Sequence, residues 1–261
     1  PAAMALEVFH NFTLLHDDVM DKAEVRRGRP TVHIQWNENT AILSGDQMMI
    51  EAYKLLAEVP ADKLHKVLRL FNEMATEICE GQQYDVDFES QEHVTIEEYL
   101  KMIRLKTSVL LATALQIGSY LAGANEAQQE ALYQFGINVG LAFQIQDDIL
   151  DVWGDPKTFG KAVGGDISCN KKTYVYLTAQ KLADDELTEE LHQWYGSVLD
   201  DNTEKIAAVK GIFEQLNVRA ACEAVVEDYT QKALLILDTL PQNAATEQLR
   251  QLANKLNTRK D

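Results

Sequence analysis

Apolar residues recur at the spacing of an α-helix along almost the whole chain, and no convincing stretch shows the alternation of a β-strand. The five prolines fall at plausible helix boundaries, where their fixed φ and missing N–H are tolerated. Thr95 and Glu98 have the spacing of a capping box at a helix start. The pattern predicts helices over residues 1–22, 38–58, 61–87, 96–122, 125–153, 173–184, 187–198, 202–238 with a break near 217, and 244–257. We therefore predict a single all-α domain over residues 1–261.

The composition narrows the range of partners. The chain has 261 residues, a formal net charge of −17 and a pI of about 4.7. Neither a nucleic acid nor an anionic membrane is expected as a partner, because each would attract a basic surface. No stretch approaches the roughly 18 uninterrupted apolar residues of a membrane span. The three cysteines, Cys79, Cys169 and Cys222, are scattered without CxxC spacing, which favours a reduced, cytoplasmic setting.

Two acidic boxes follow apolar stretches of the chain, Asp17-Asp18-Val19-Met20-Asp21 and Asp147-Asp148-Ile149-Leu150-Asp151. On a helix, the first and last aspartates of each box project from one face, about 6 Å apart. Such pairs repel each other and lose hydration unless a cation compensates them, and hard divalent ions prefer oxygen ligands. A single acidic box is more often solvated surface. Its recurrence with the same spacing, each time beside an apolar run, favours metal binding.

Basic residues accompany both boxes. Three arginines lie within residues 26–29, where the alternative to phosphate binding is an exposed turn. Lys106-Thr107 lies at the border of an apolar run, where a lysine could also extend its amino group to solvent. The loop from Gly154 to Thr173 combines four glycines with several lysines, without the Walker pattern, and is interpreted as a basic flap or a plain linker. The segment 80–85 is either a functional polar cluster or a surface with a close helix crossing at Gly81.

These features together describe the ligand. Carboxylate clusters with basic residues suit a highly anionic, oxygen-rich group, and diphosphate fits better than a nucleotide because no base-recognising motif is present. The apolar stretches before the boxes, residues 2–15 and 139–145, would surround a hydrocarbon portion. The sequence therefore predicts a site for the diphosphate ester of a long apolar alcohol.

In this order the motifs resemble those of the trans-isoprenyl diphosphate synthases. The resemblance rests on the two DDxxD boxes, Arg26-Arg27-Gly28, Lys106-Thr107, and the run from Phe143 to Asp148 followed by Gly160-Lys161 and Asp166. It covers residues 1 to about 175, with a weaker helical match beyond. It implies the all-α isoprenoid synthase bundle around a deep central cavity, usually as a homodimer. The implied reaction condenses isopentenyl diphosphate head-to-tail with an allylic diphosphate.

The resemblance also implies a role for individual residues. The positions that coordinate Mg²⁺ directly, with three ions per site, are matched by Asp17, Asp21 and Asp147, supported by Asp18, Asp148 and Asp151. The allylic diphosphate would be held by Arg26, Lys106 and Lys161, and isopentenyl diphosphate by Arg27. The allylic cation would be stabilised by the oxygen dipoles of Thr107 and Gln144. Subsidiary polar positions are matched by Gln82, Asp85, Asp166 and Lys171.

One departure from the family pattern concerns the second substrate. The family normally carries an upstream GGKxxRP motif that binds isopentenyl diphosphate, and the only Gly-Gly pair here, Gly164-Gly165, is in the wrong place. Pro1 stands inside a helical pattern. We therefore expect the native start to lie upstream, so that residues 1–261 lack the family's N-terminal helices.

Product length is expected to depend on the residues before the first box. In the family, a bulky residue four or five positions before that box closes the product pocket; these positions are Thr13 and Phe12, and Phe9 lies one turn deeper. Phe9 is roughly 12 Å from Asp17 along an ideal helix. His10 and Thr13 point closer to the aspartate face than Phe12, so the role of Phe12 follows from the resemblance. We predict a short product, geranylgeranyl or farnesyl diphosphate.

Two other functions are alternatives to this prediction. A class I terpene cyclase shares the fold and the first box, but it would carry an NDxxSxxxE-type motif that residues 144–151 do not resemble. A non-catalytic subunit of a heteromeric prenyl synthase usually loses one aspartate box, and this chain keeps both. The six histidines show no HExxH or other ligand spacing.

Overall fold

The computed structural model describes residues 1–155, 163–197, 199 and 201–257. In that part of the chain, the secondary structure is helical apart from one small hairpin. The helices are α1 (Ala2–Met20), α2 (Val32–Gln35), α3 (Glu38–Leu56), α4 (Ala61–Ser90), α5 (Ile96–Ile103), a π-helical segment (Arg104–Ser108), α6 (Val109–Leu121), α7 (Glu126–Trp153), α8 (Gly165–Ser168), α9 (Tyr174–Leu182), α10 (Asp185–Gly196), α11 (Thr203–Gln215), α12 (Val218–Asp238) and α13 (Ala244–Asn257). The predicted all-α fold is confirmed.

The predicted helix boundaries agree with the observed ones to within three residues. The capping box forms: Thr95 Oγ1 accepts the Glu98 N–H at 3.1 Å, and the Glu98 carboxylate accepts the Thr95 N–H at 2.8 Å. The break near 217 is confirmed, because Asn217 has φ 52° between α11 and α12. Asparagine adopts this left-handed backbone conformation more readily than most residues, because its short polar side chain can form local hydrogen bonds.

Three short features were not predicted: the helices α2 and α8, and a hairpin of β1 (Val25–Arg26) with β2 (Arg29–Pro30). The hairpin turn consists of Arg27 and Gly28, with φ values of 53° and 73°. Two consecutive positive φ angles are typical of a type I′ turn, whose twist matches that of paired strands. A ribbon of two-residue strands is too short to produce a period-2 pattern in the sequence.

The chain divides into two compact units, and the first contains residues 1–76 and 110–133. In this unit α1 packs along α3. Both helices bury small residues, including Ala5 on α1 and Ala41 and Ala52 on α3. Small side chains let helix backbones approach closely. Phe9 of α1 then packs edge-to-face on Phe71 of α4, with ring centroids 5.0 Å apart.

The second unit contains residues 77–109 and 134–261. Its central helix is α9, in which every residue from Tyr174 to Ala179 is buried. Helix α9 packs against α5 and α12, and α12 packs against α13. Helix α7 approaches the π-helical segment closely, because a Cβ at Gly140 would lie 2.6 Å from Ser108 Cα. These contacts bring the C-terminal half of α7, which carries the second aspartate box, beside the Lys106-Thr107 pair.

Among the described residues, none of the helices combines the length and apolar character needed to cross a membrane.

Candidate active site

The first aspartate box lies at the C-terminal end of α1. Asp17 and Asp21 are one helical turn apart, and the Asp21 N–H donates to the Asp17 carbonyl at 2.8 Å. Both side chains are half-buried, whereas Asp18 is only 4% exposed. Asp17 and Asp21 therefore have the spacing expected for a shared cation, and Asp18 points into the protein.

Arg26 binds the first box from the hairpin. Its Nε donates to Asp18 Oδ1 at 2.7 Å, and its Nη2 donates to Asp17 Oδ2 at 3.2 Å. Burial raises the pKa of Asp18, and the Arg26 hydrogen bond and charge oppose this rise. Asp18 thus anchors the predicted phosphate-binding arginine beside the box. The neighbouring Arg27 lies exposed in the hairpin turn.

The predicted product-length residues lie on α1 before the box. Phe9 is buried, and Phe12 and Thr13 are half-buried. The Phe9 and Phe12 rings are 5.4 Å apart, so the two residues form one aromatic group. The Thr13 hydroxyl donates to the His10 carbonyl at 2.8 Å, which satisfies its hydrogen in the helix.

Asp148 of the second aspartate box accepts hydrogen bonds with both of its carboxylate oxygens. Asp148 Oδ2 accepts the Tyr99 hydroxyl at 2.6 Å and the Tyr174 N–H at 3.1 Å, and Oδ1 accepts Gln144 Nε2 at 3.3 Å. Burial and the nearby Asp166 charge raise the pKa of Asp148 well above its usual value, and these hydrogen bonds oppose the rise. Asp148 therefore connects α5, α7 and α9.

Asp151, the last residue of the second box, is held by the loop that follows α7. It is buried, and its Oδ2 accepts the Asp166 N–H at 3.1 Å. Gly164 donates its N–H to the Asp151 carbonyl at 2.6 Å with φ 84°, and a Cβ at Gly165 would lie 3.3 Å from Asp151 Oδ1. The two glycines allow this close approach. Asp147, the first residue of the second box, is half-buried.

Lys106 and Thr107 belong to the π-helical segment, where the sequence predicted an unbroken helix over 96–122. Lys106 Nζ donates to Asp85 Oδ2 at 2.6 Å, and the Thr107 hydroxyl donates to Gln144 Oε1 at 3.3 Å. Single π turns inside α-helices are frequent at functional sites. Gln144 connects this segment to the second box, because its other end donates to Asp148.

Helix α4 crosses the π-helical segment at Gly81. A Cβ there would lie 2.3 Å from the Lys106 backbone nitrogen. The close crossing considered at Gly81 is therefore present, and it places Asp85, one turn further along α4, beside Lys106. Gln82 is half-buried on the same helix.

The remaining predicted residues lie in or beside the glycine-rich loop. Lys161 lies outside the described residues. Lys171 is half-buried, and its N–H donates to the Asp166 carbonyl at 2.9 Å. Lys172 Nζ donates to the Phe88 carbonyl at 2.8 Å. The described part of the loop is therefore bonded both to the second box and to α4.

Sequence reasoning missed two partners of Asp148, the Tyr99 hydroxyl and the Tyr174 N–H. Tyr99 lies seven residues before Lys106, which is close to two helical turns, and this spacing was an available signal. The backbone donor at Tyr174 has no sequence signal, because it depends on where the loop ends.

The structure thus brings together the predicted residues within each unit. In the first unit it gathers Asp17, Asp18 and Arg26; in the second, it gathers Asp85, Lys106, Thr107, Gln144 and Asp148. No three His, Cys, Asp or Glu side chains of the described ranges meet closely enough to form a metal-binding group by themselves. The donor chemistry still suits Mg²⁺, which is bound through one or two carboxylates together with substrate phosphates.

An all-α chain with two anchored aspartate boxes, and with Arg26 and Lys106 paired to carboxylates, defines a protein with two acidic sites suited to metal and phosphate. Residues 1–216 match the family model described as polyprenyl synthetase. The chain belongs to the polyprenyl synthetase family.

Several known proteins that are similar to this chain have names consistent with this family. The short chain isoprenyl diphosphate synthase of Methanocaldococcus jannaschii is 44% identical over 198 residues, which are 76% of this chain and 60% of that protein. The geranylfarnesyl diphosphate synthase of Natronomonas pharaonis is 39% identical over 98% of this chain and 73% of its own length. A crystal structure of a geranylgeranyl pyrophosphate synthase matches with a TM-score of 0.93 and 48% identity, covering all of this chain and 81% of that one. The chain therefore spans about three fifths to four fifths of these proteins.

Proposed function

We propose that this protein condenses isopentenyl diphosphate head-to-tail with an allylic diphosphate, in a Mg²⁺-dependent reaction. The product is a short-chain trans-prenyl diphosphate, geranylgeranyl or farnesyl diphosphate, together with free diphosphate. The proposal rests on the family match and is carried by one observation. Thr107, Gln144 and Asp148 of the second aspartate box form a continuous hydrogen-bonded chain, and the adjacent Lys106 pairs with Asp85.

The aspartates divide into two proposed roles. Asp17, Asp21 and Asp147 are half-buried and would bind Mg²⁺ directly. Asp18, Asp148 and Asp151 are buried and accept hydrogen bonds from the protein, so they would orient the boxes. Bound Mg²⁺, three ions in this proposal, would supply Lewis-acid stabilisation of the departing diphosphate.

The basic residues would hold the substrates. Arg26 and Lys106 each pair with carboxylates of the chain, and both cations would turn to the allylic diphosphate when it binds. Lys161 is proposed as the third cation for this diphosphate, and Arg27 as a ligand of isopentenyl diphosphate. Gln82, Asp85, Asp166 and Lys171 would be subsidiary polar contacts.

The chemical step breaks the bond between the allylic carbon and its diphosphate oxygen. The double bond of isopentenyl diphosphate then forms the new carbon–carbon bond, and the released diphosphate takes the proton that is lost. Thr107 and Gln144 would stabilise the developing allylic cation with their oxygen dipoles. The hydrogen bond from Gln144 Nε2 to Asp148 supports this role, because it fixes the amide so that its oxygen faces Thr107.

Product length would be limited on α1. We propose that Phe9, Phe12 and Thr13 close the far end of the product pocket, and the contact between the two phenylalanine rings supports this. Phe12→Ala should therefore lengthen the products. If the wild-type protein made products of twenty-five carbons or more from farnesyl diphosphate, this part of the proposal would be wrong.

The proposed function is tested by incubating the wild-type protein with Mg²⁺, labelled isopentenyl diphosphate and farnesyl diphosphate. We expect prenyl products that disappear with a chelator. Asp147→Asn should lower kcat/KM by at least about 100-fold, because it weakens stabilisation of the leaving group. Asp62→Asn, at an exposed aspartate of α4, is the matched control and should have no effect.

The same assay separates the two alternatives. Turnover of the allylic diphosphate without isopentenyl diphosphate would indicate a terpene cyclase. If the wild-type protein were inactive alone and a second protein restored activity, the chain would be a non-catalytic subunit. We also propose a cytoplasmic homodimer. The three scattered cysteines, which lack CxxC spacing, support a reducing compartment. Light scattering would measure the oligomeric state.

A further inference from the structure

A histidine immediately before the first aspartate box fits into a gap in the neighbouring helix. The His16 ring of α1 lies against Gly45 of α3, where a Cβ would come within 2.3 Å of His16 Nε2 and 2.5 Å of Cδ2. Real Cβ atoms do not approach other atoms so closely. Any residue larger than glycine at position 45 would therefore displace the His16 ring.

Two further contacts from α3 hold the same ring. His16 Nε2 lies 3.1 Å from the Ile42 carbonyl oxygen, to which it donates in the tautomer with Nε2 protonated, and it lies 3.8 Å from Asp46 Oδ1. The side chain is 21% exposed. The ring is thus held by the backbone of one turn of α3 and is mostly removed from solvent.

The His16 ring also contacts one of the proposed product-length residues, Phe12. The His16 ring packs edge-to-face on Phe12, with centroids 4.7 Å apart and an interplanar angle of 68°. Phe12 contacts Phe9 at 5.4 Å, and Phe9 contacts Phe71 at 5.0 Å. In the part of the chain that the structure describes, the aromatic contacts of Phe12 are with His16 and Phe9, and Phe9 is buried. A side chain at position 45 would displace the His16 ring, so Gly45 acts on Phe12 through its contact with His16.

We propose that Gly45 determines product length through His16. Because Gly45 has no side chain, the His16 ring can lie against the backbone of α3 at this position. The ring in turn fixes Phe12 as the end of the product pocket. His16 is a positioning residue in this proposal, and Gly45 is a specificity-determining residue. The inference rests on the proposed function, because it concerns the length of the prenyl product.

The test compares product lengths of five proteins at equal substrate conversion. They are the wild type, Gly45→Ala, His16→Ala, the double variant, and Gly118→Ala as the matched control. Gly118 lies on α6 with no atom within 4 Å of a built Cβ, so its replacement disturbs no packing. Gly45→Ala is expected to fold, because the atoms that must yield belong to a side-chain ring and not to backbone.

We expect Gly45→Ala and His16→Ala each to raise the ratio of longer to shorter product by about threefold or more, as the loss of one aromatic pair allows. The double variant should match His16→Ala alone, because Gly45 acts only through the ring. Gly118→Ala should leave the ratio unchanged. The proposal is overturned if Gly45→Ala leaves the ratio unchanged, or if it shifts the ratio equally when His16 is already alanine.

A second readout is independent of activity. The ring signals of His16 in a proton–carbon NMR spectrum are identified by their loss in His16→Ala. They should move in Gly45→Ala and stay in place in Gly118→Ala. Unmoved signals would overturn the contact itself. A wild-type protein that makes no prenyl product would instead refute the proposed function, and the product-length inference would be refuted with it.

Discussion

The close crossing of α4 and the π-helical segment at Gly81 predicts that a single added methyl group will disturb the position of Lys106. A Cβ at Gly81 would meet the Lys106 nitrogen at 2.3 Å, the Leu105 carbonyl carbon at 2.7 Å and Lys106 Cα at 2.7 Å. All three atoms belong to backbone, so none can rotate away. Ordinary contact begins near 3.4 Å, so α4 and the π-helical segment must separate by about 1 Å.

The expected magnitude for Gly81→Ala combines two opposing effects. Alanine is favoured over glycine in a helix interior by about 1 kcal/mol, whereas overpacking costs about 1–3 kcal/mol. We therefore expect the free energy of unfolding to fall by up to about 2 kcal/mol. The separation also moves Asp85 from Lys106, whose ion pair measures 2.6 Å. A misplacement of about 1 Å at a catalytic group can lower the rate about 100-fold.

Urea unfolding and steady-state kinetics measure these two quantities. Gly118→Ala on α6 is the control, because it gains the helix preference without overpacking and should be stabilised by about 0.5–1 kcal/mol. The two variants should thus differ by about 1–3 kcal/mol. If Gly81→Ala were as stable as Gly118→Ala and kept wild-type kcat/KM, the reasoning about the backbone crossing would be refuted.

Two further predictions concern buried groups of the second unit. Tyr99→Phe removes the hydroxyl that donates to Asp148, so the free energy of unfolding in the presence of a chelator should fall by about 1.5–3 kcal/mol. Burial raises the pKa of Asp148, and the Tyr99 bond favours its ionised form; the loss should therefore grow as pH rises through that pKa. Burial also raises the pKa of the Cys222 thiol to about 12. A thiol reagent near about pH 8 should therefore label only the two exposed cysteines of the native protein, and all three after unfolding.

For each of these predictions, a specific experimental outcome would contradict the reasoning. Tyr53→Phe is the control for Tyr99→Phe, because the Tyr53 hydroxyl donates to the neutral Asn72 Oδ1 at 2.7 Å in an exposed position. Its loss should be no more than about 1.5 kcal/mol. Equal losses in the two tyrosine variants, or a loss independent of pH, would contradict the role given to Asp148. Equal labelling rates for all cysteines would contradict the burial of Cys222.

The helices and the spacing within each aspartate box could be predicted because both depend on local order. A side chain repeats its direction after one helical turn, so Asp17 and Asp21 project together wherever α1 packs. The capping box at Thr95 and the break at Asn217 are likewise properties of a few consecutive residues. The motifs that carry the family resemblance could be recognised for the same reason, since each is a short stretch of consecutive residues.

The contacts that anchor the boxes depend on the tertiary structure. Tyr99 and Asp148 are 49 residues apart in the chain, and only the packing of α5 against the rest of its unit joins them. The π turn at Lys106 was invisible to periodicity, because one extra residue in a turn leaves the apolar pattern almost unchanged.

The sequence alone therefore determined which residues are acidic, basic and aromatic, and on which helices they lie. The tertiary structure decided which of them are held and by what. It directed Asp18 to Arg26 and Asp148 to Tyr99, Gln144 and the Tyr174 backbone. The reason is physical: periodicity is fixed by backbone geometry within a few residues, whereas a buried carboxylate takes its partners from whichever helices pack around it.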